Sequence, residues 1–583
     1  MCAIAGIQID DYMRQEHNIR PESAAVYDAA ERKEERKLGR NYKWVALSNT
    51  TLGALMASID SSILIISLPA IFNGLGVNPY APGNIVILLW LLLGYMIASS
   101  ITIVTIGKLS DMFGRVRLYN FGFLIWTIAS ILIYASSYLI LGTEGAISLV
   151  ILRIVQGLGG GFLFANSVAI LTDAFPKEER GKALGINQIA FVGGSIIGLI
   201  VGGILSAIDW HLIFLISVPV GVVGTIWAYV GLRDIASIRK GQRFDIVGNL
   251  LFGVGVLLLL IGSTYAILPY GKNNMGWSNP FVMISIVSGF VLLIAFAYFE
   301  NHKEDPMFNL SLFGIRAFSA GNLSQFIAGV ARGGLQFMLI IWLQGIWLPL
   351  HGISFSNTPL QAGIDMIPLM AGFLLMGPLS GHLSDKLGAR YLASFGMIIN
   401  VFGFLILAML PANFNYITFA LTIFILGIGQ GMFLAPNTAS IMNSVPPEYR
   451  GVSSGMRATL ANVSFMFSMV VFFTVLISGM ALSMPHALYN GLVAQQLEPA
   501  IARNVSEIPP TGALFGALLG SNPMQVLIPQ SVLSSLPAVN RSVVLGNTFF
   551  PSLISSPFIG SMRNVFLMSA ILVLIAAIAS LLR

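Results

Sequence analysis

Fourteen runs of about 20 or more mostly apolar residues follow one another between residues 45 and 582, and a helix of that length crosses a bilayer core about 30 Å thick. In lipid the backbone must satisfy its own hydrogen bonds, so runs this long have to be helical. The expected fold class is an all-α polytopic membrane protein. A hydrophobic content of 56% against 10% charged residues exceeds what a soluble core can bury.

Lys and Arg crowd alternate turns: Lys108, Arg115 and Arg117; Lys177, Arg180 and Lys182; Lys386 and Arg390; Arg450 and Arg457. The intervening turns carry only Lys272, Arg503 and Arg541. Because basic loops stay inside, both termini are expected on the cytoplasmic side of a plasma-membrane protein. The net charge of +6 is scattered among short turns and forms no continuous patch, which argues against nucleic acid. A single cysteine, Cys2, excludes an internal disulfide and a cysteine metal site. There is no metal-ligand cluster among the six histidines, no Ser-His-Asp candidate and no Walker glycine loop, so neither an enzyme, a metal nor a cofactor is expected. Residues 1–44 mix acids and bases and read as a cytoplasmic tail, with an exposed charged helix over 22–43.

The chain also repeats itself. Gly107, Leu109, Ser110, Asp111, Gly114 and Arg115 return as Gly381, Leu383, Ser384, Asp385, Gly388 and, one place late, Arg390. Arg180, Gly181 and Gly185 return as Arg450, Gly451 and Gly455. The implied organisation is a six-helix bundle over 45–232, two inserted helices with linkers over 233–317, and a second six-helix bundle over 318–582. The last two helices of that second bundle are separated by an external loop over 479–562. That loop reads equally as an ordered cap, a membrane-surface hairpin or a disordered segment. Duplicated bundles around a pseudo-twofold axis point to transport of a small-molecule substrate, here by a monomer.

In the stretch from Gly107 to Arg117 the glycines allow a tight turn, Asp111 can cap the next helix, and Arg115 can hold a partner. Asp173 with Arg115 is expected to form a latch that holds one access state, and Asp385 with Arg450 a looser second one. An ordinary solvated ion pair, worth under about 1 kcal/mol, is the plain alternative.

These residues resemble the major facilitator superfamily, whose signature between the second and third helices reads Gly-x-Leu-x-Asp-x-x-Gly-Arg. Arg153-Ile154-Val155-Gln156-Gly157 is similar to that family's second motif, and Ile59-Asp60-Ser61-Ser62-Ile63 through Leu68-Pro69 to the first-helix motif of its fourteen-span drug:proton antiporters. Asp209-Trp210-His211 and Gln361-Ala362-Gly363 look like the same group. The resemblance implies alternating access by two rocking bundles and export of lipophilic or cationic small molecules in exchange for protons. One departure stands out. Gly194, Gly198, Gly202 and Gly203 keep the packing glycines of the fifth helix, as Gly157 does in the fourth, but Leu199 stands where that group has proline. A proton-coupled importer or a uniporter of a small metabolite is therefore the alternative.

Asp60 lies deep in the first apolar run, where a carboxylate costs on the order of 2.5–3.5 kcal/mol on insertion scales, so it should face a cavity or a partner. Arg153 falls at a similar depth in the fourth run and is expected to share proton coupling with it; the equivalent position in the second half is Ile423. Arg332 is the other cation at membrane depth, with Asp60 across the symmetry axis or Asp365 as its expected partner. Phe326, Phe337, Met338, Trp342, Trp90, Tyr95 and Met96 are candidates for an adaptable apolar lining.

Overall fold

The computed structural model describes residues 41–78, 83–235, 245–271, 273–303, 308–446, 449–519 and 522–583, excepting the side chains at 104, 111, 177, 178, 181, 382, 385, 450 and 451. Fourteen helices in it are long and apolar enough to cross a membrane. They are α1 (Tyr42–Leu75), α2 (Asn84–Phe113), α3 (Arg115–Leu139), α4 (Gly142–Ala174), α5 (Lys177–Ile208), α6 (Leu212–Gly231), α7 (Ile246–Ala266) and α8 (Pro280–Glu300). The second half supplies α9 (Arg316–Leu350), α10 (Thr358–Gly381, its helical turns running on to Leu387), α11 (Ala389–Met409), α12 (Tyr416–Asn443), α13 (Arg450–Ala494) and α14 (Phe549–Leu581). The charged helix expected over 22–43 lies almost wholly outside the described residues.

The duplication read from sequence is visible in the packing. In the first bundle α1 packs on α5, α2 on α4, and α3 on α4 and α6; in the second α9 packs on α13, α10 on α12, and α11 on α12 and α14. Even the chain reversals match. Gly114 sits at φ +103° between α2 and α3, and Gly388 at φ +82° between α10 and α11, a left-handed conformation that favours glycine. The inserted pair α7–α8 packs against itself and docks through α7 on the seam between α2 and α13, where Thr105 donates to Asn249 at 2.6 Å.

Glycine stripes set how closely the helices approach. A Cβ on Gly194 would meet the Leu55 carbonyl at 2.6 Å, one on Gly198 the Ser62 hydroxyl at 2.1 Å, and one on Gly202 the Ile66 side chain at 2.6 Å. All three lie against α1, so α5 and α1 run in near-backbone contact. Gly157 makes the same approach from α4 to the Tyr95 backbone of α2 at 2.4 Å. Gly203 instead meets the Leu360 backbone of α10 at 2.5 Å, while Gly363 of α10 meets the Leu199 carbonyl of α5 at 2.9 Å. The Leu199 position thus lies on the seam between the two bundles.

One expectation needs correcting. The last two helices do not end at 478 or begin at 563: α13 continues to Ala494 and α14 starts at Phe549. Among the described residues the connection between them forms short helices, and Pro510–Leu518 is buried throughout, with Phe515 stacked 5.7 Å from Phe473 of α13. Hydrophobicity windows stopped at the bilayer thickness, whereas these helices rise past it and carry their own apolar cap. At the start of α3 the Asp234 carboxylate takes the Val116 amide at 2.7 Å and the Arg117 amide at 3.3 Å, while the side chain of Asp111, the cap expected from sequence, lies outside the described residues.

A methyl group at Gly198 has no room, so Gly198→Ala is expected to destabilise the detergent-purified protein by about 1–3 kcal/mol. Gly193→Ala, five residues earlier in the same helix with nothing within 4 Å of its Cβ position, should be neutral or slightly stabilising. Thermal unfolding of the two variants checks this; equal midpoints would mean that the glycine stripe does not fix the α1–α5 spacing.

Candidate functional site

The α5 stripe holds α1 by its Ser58, Ser62 and Ile66 face, which turns Asp60 the other way, toward α4 and α6. Asp60 there meets Arg153 in an ion pair that is 5% and 2% exposed on its two sides. The pair is not alone. Arg153 also donates to the Gln156 side-chain oxygen at 2.7 Å, while the Gln156 amide donates to Asp60 at 3.2 Å and to Ser130 at 2.9 Å. The Ser217 hydroxyl of α6 completes the shell on Asp60 at 3.3 Å. The Tyr95 ring of α2 lies 5.2 Å from the Arg153 guanidinium, close enough for a cation–π contact. Three helices of the first bundle, α1, α4 and α6, therefore supply one carboxylate, one guanidinium and their hydrogen-bond partners, while α2 adds the Tyr95 ring and the Ser130 hydroxyl of α3 extends the network. A pair desolvated this far survives only because every oxygen of the carboxylate is occupied.

Below that pair, toward the face that carries the basic turns, a cavity of about 320 Å³ separates the bundles. Its walls are Thr50, Gly53, Ala54 and Ala57 of α1, with Ser167, Asn187, Gln188 and Phe191 from α4 and α5, facing Gln325, Gly329 and Arg332 of α9 and Arg457, Asn462 and Phe465 of α13. A second void of about 40 Å³ sits between this cavity and the ion pair, lined by Ser61, Tyr95, Arg153, Gln336 and Phe337 among others. Met96, Gly333 and Phe465 line both spaces. The inter-bundle cavity and the void that Arg153 lines are thus neighbours across three shared, largely apolar residues.

Sequence reasoning paired Arg332 with Asp60 or Asp365, and neither contact is present. Arg332 stands over the Phe433 ring at 5.9 Å, and Asp365 accepts from Gln361 at 3.0 Å near the opposite face. A slip of one or two residues in the repeat alignment rotates a helical position by 100–200°, which is enough to separate them. Arg457 falls at the start of the apolar run of α13, where sequence alone suggests a loop charge, yet it is 7% exposed and lines the cavity. Of the aromatic and Met candidates, Met96 lines the main cavity and Tyr95, Met96 and Phe337 the smaller void, whereas Met338 and Trp342 are fully buried in the second bundle's core.

At the basic face, Arg115 grips Asp173 through both carboxylate oxygens at 2.6 and 2.7 Å, joining the start of α3 to the end of α4 within one bundle. The side chains of Asp111, Asp385 and Arg450, and with them the second expected latch, lie outside the described residues. Gly107 of the first motif is where α2 approaches α13, its Cβ position lying 4.0 Å from the Gly455 backbone. At the Asp209-Trp210-His211 turn, the His211 ring nitrogen lies 2.6 Å from Asp209, and hydrogen bonding from His211 holds the Asp209 carboxyl below the usual carboxylate range.

The family model for the Major Facilitator Superfamily matches residues 50–270 and 232–469. The riboflavin transporter RibZ of Clostridioides difficile is 31% identical over 73% of this chain and 86% of its own length. The multidrug transporter MdtP of Bacillus subtilis is 23% identical over 92% of both chains. Among solved structures, a bacterial homologue of the lysosomal transporter Spinster, in an inward-facing and unoccupied conformation, aligns at a TM-score of 0.52 with 16% identity over 93% of this chain and 97% of its own. The proton:xylose symporter XylE aligns at 0.51 with 15% identity over 84% and 96%. At those identities the solved structures speak for the fold alone. Fourteen apolar helices in two matched bundles, an inter-bundle cavity and the family match together place this chain in the Major Facilitator Superfamily, as a multi-pass membrane transporter.

Proposed function

We propose that this protein is a proton-coupled exporter of lipophilic small molecules, working by alternating access, with the basic face and both termini cytoplasmic. The observation that carries the reading is the buried Asp60–Arg153 pair, whose arginine lines a small void that shares Met96, Gly333 and Phe465 with the inter-bundle cavity. An ionised Asp60 holds Arg153; a proton arriving on Asp60 removes the charge that Arg153 answers to and frees the guanidinium toward the void it lines. That exchange couples one proton site to the cavity without requiring cargo to touch Asp60. The close approach of α5 to α10 at Gly203–Leu360 and Leu199–Gly363, toward the far face, supports a cavity that serves the cytoplasmic side. Relatives named for multidrug transport support an efflux role. A proton-coupled importer or uniporter is the second reading, favoured by Leu199 at the seam and by a relative named as a riboflavin transporter.

Vesicles reconstituted with the full chain and loaded with a pH-sensitive dye test the coupling. Three naphthalene probes are added in turn: neutral N-phenyl-1-naphthylamine, anionic naphthalene-1-sulfonate and cationic trimethyl(1-naphthylmethyl)ammonium. At least one should drive proton movement opposite to its own in wild type, falling to the protein-free background in Asp60→Asn. Movement of proton and probe in the same direction would select the importer, and no probe-linked proton signal would sink both coupled readings.

Stability offers a separate check. Arg153→Gln leaves a buried carboxylate without its cation and should cost about 3–5 kcal/mol. Adding Asp60→Asn to it should recover much of that loss in thermal unfolding while transport stays at background. A double variant no more stable than Arg153→Gln alone would show that the two charges are not energetically coupled.

A further inference from the structure

The inter-bundle cavity is lined by two arginines and, among its described lining residues, by no carboxylate. Arg332 has a ring beneath it but no hydrogen-bond or ion-pair partner among the described residues. Arg457 is 7% exposed, and its Nε has none either. Both stand on the α9–α13 wall. Gly329 and Gly333 pack on Ser464 and Phe465, which puts Arg332 level with those residues and Arg457 about two helical turns nearer the basic face. Two cations placed in a membrane-embedded space without counter-charges are costly to keep, and they are most readily explained by a ligand that brings the negative charge.

The remaining polar lining leans the same way. Asn187 is 5% exposed with its side-chain amide nitrogen unpartnered, and it faces the cavity opposite the arginines. Gln325 spends its side-chain oxygen on the Asn437 amide at 3.3 Å, which leaves its own amide as a donor. Apolar walls come from Phe164, Phe191, Phe465 and Met96. We propose that the cargo is an amphipathic anion: a flat apolar body held between the aromatic and methionine side chains, with a carboxylate, sulfonate or phosphate group taken by Arg332 and Arg457. A guanidinium suits such groups because its planar fork can donate two parallel hydrogen bonds to two oxygens at once. This inference deepens the transporter reading and rests on it only in taking the cavity as the cargo site.

Equilibrium binding of the two permanently charged naphthalene probes to the full chain in lipid nanodiscs tests it. The wild type should bind naphthalene-1-sulfonate at least about ten-fold more tightly than trimethyl(1-naphthylmethyl)ammonium, and Arg332→Gln or Arg457→Gln should each weaken the sulfonate by about ten-fold or more. Arg332→Lys and Arg457→Lys, which keep the charge and lose the fork, should retain part of the affinity. Equal or tighter binding of the ammonium by wild type would overturn the proposal without any variant, as would sulfonate affinity unchanged in folded Gln variants. An ammonium preference accompanied by Asp60-dependent proton movement removes the cargo class and leaves the coupling reading intact. Arginine-dependent sulfonate binding with no Asp60-dependent proton movement supports the cargo class and removes the coupling.

Discussion

A carboxylate and a guanidinium, both nearly free of water and surrounded by lipid-facing helices, have to be matched almost atom for atom or the helices that carry them will not stay together. Arg153, Gln156 and Ser217 occupy both oxygens of Asp60 and Gln156 also donates to Ser130, leaving Arg153 Nε unpartnered, so α1, α3, α4 and α6 are registered against one another by a single polar knot. The glycine stripe of α5 supports it from behind by fixing which face of α1 is free to turn inward. The second bundle has no counterpart, because Ile423 stands where Arg153 would be and is itself fully buried. In the proposed mechanism one bundle carries the charge exchange, while the other supplies its two arginines to the cavity. The duplication provides the frame on which these separate tasks were built.

That asymmetry suggests how the two halves communicate. Met96, Gly333 and Phe465 border both the cavity and the smaller void against Arg153, so whatever fills the cavity presses on the same residues that Arg153 would move into. Cargo and proton would then compete for one small volume between the bundles rather than for one side chain. A shift of population between access states needs only such differential contact.

Much of the architecture was legible in the sequence because a bilayer permits so few solutions. Fourteen runs, the basic turns and the repeat at Gly114 and Gly388 all follow from lipid thickness and from the left-handed turn that glycine accommodates. Asp60 and Arg153 were equally visible, since a charge inside an apolar run is conspicuous. Arg457 was not: it lies at the edge of a run, where a loop charge and a buried one look alike, and only the packing of α13 on α9 distinguishes them. Asp234 escaped for a different reason. It caps α3 from beyond the end of α6, and no local spacing records a contact between segments that far apart in the chain. The cap between α13 and α14 is hard to read from sequence because its short helices are neither long enough nor alternating enough to announce themselves.

Infrared difference spectroscopy of the reconstituted protein, with and without naphthalene-1-sulfonate, reads the protonation of the Asp60 carboxyl directly. The account predicts a carbonyl stretch of a protonated, buried carboxylic acid that changes intensity when the ligand is added and is missing from Asp60→Asn. A spectrum in which no protonated carboxyl responds to ligand, or in which the responding band survives in Asp60→Asn, would contradict it.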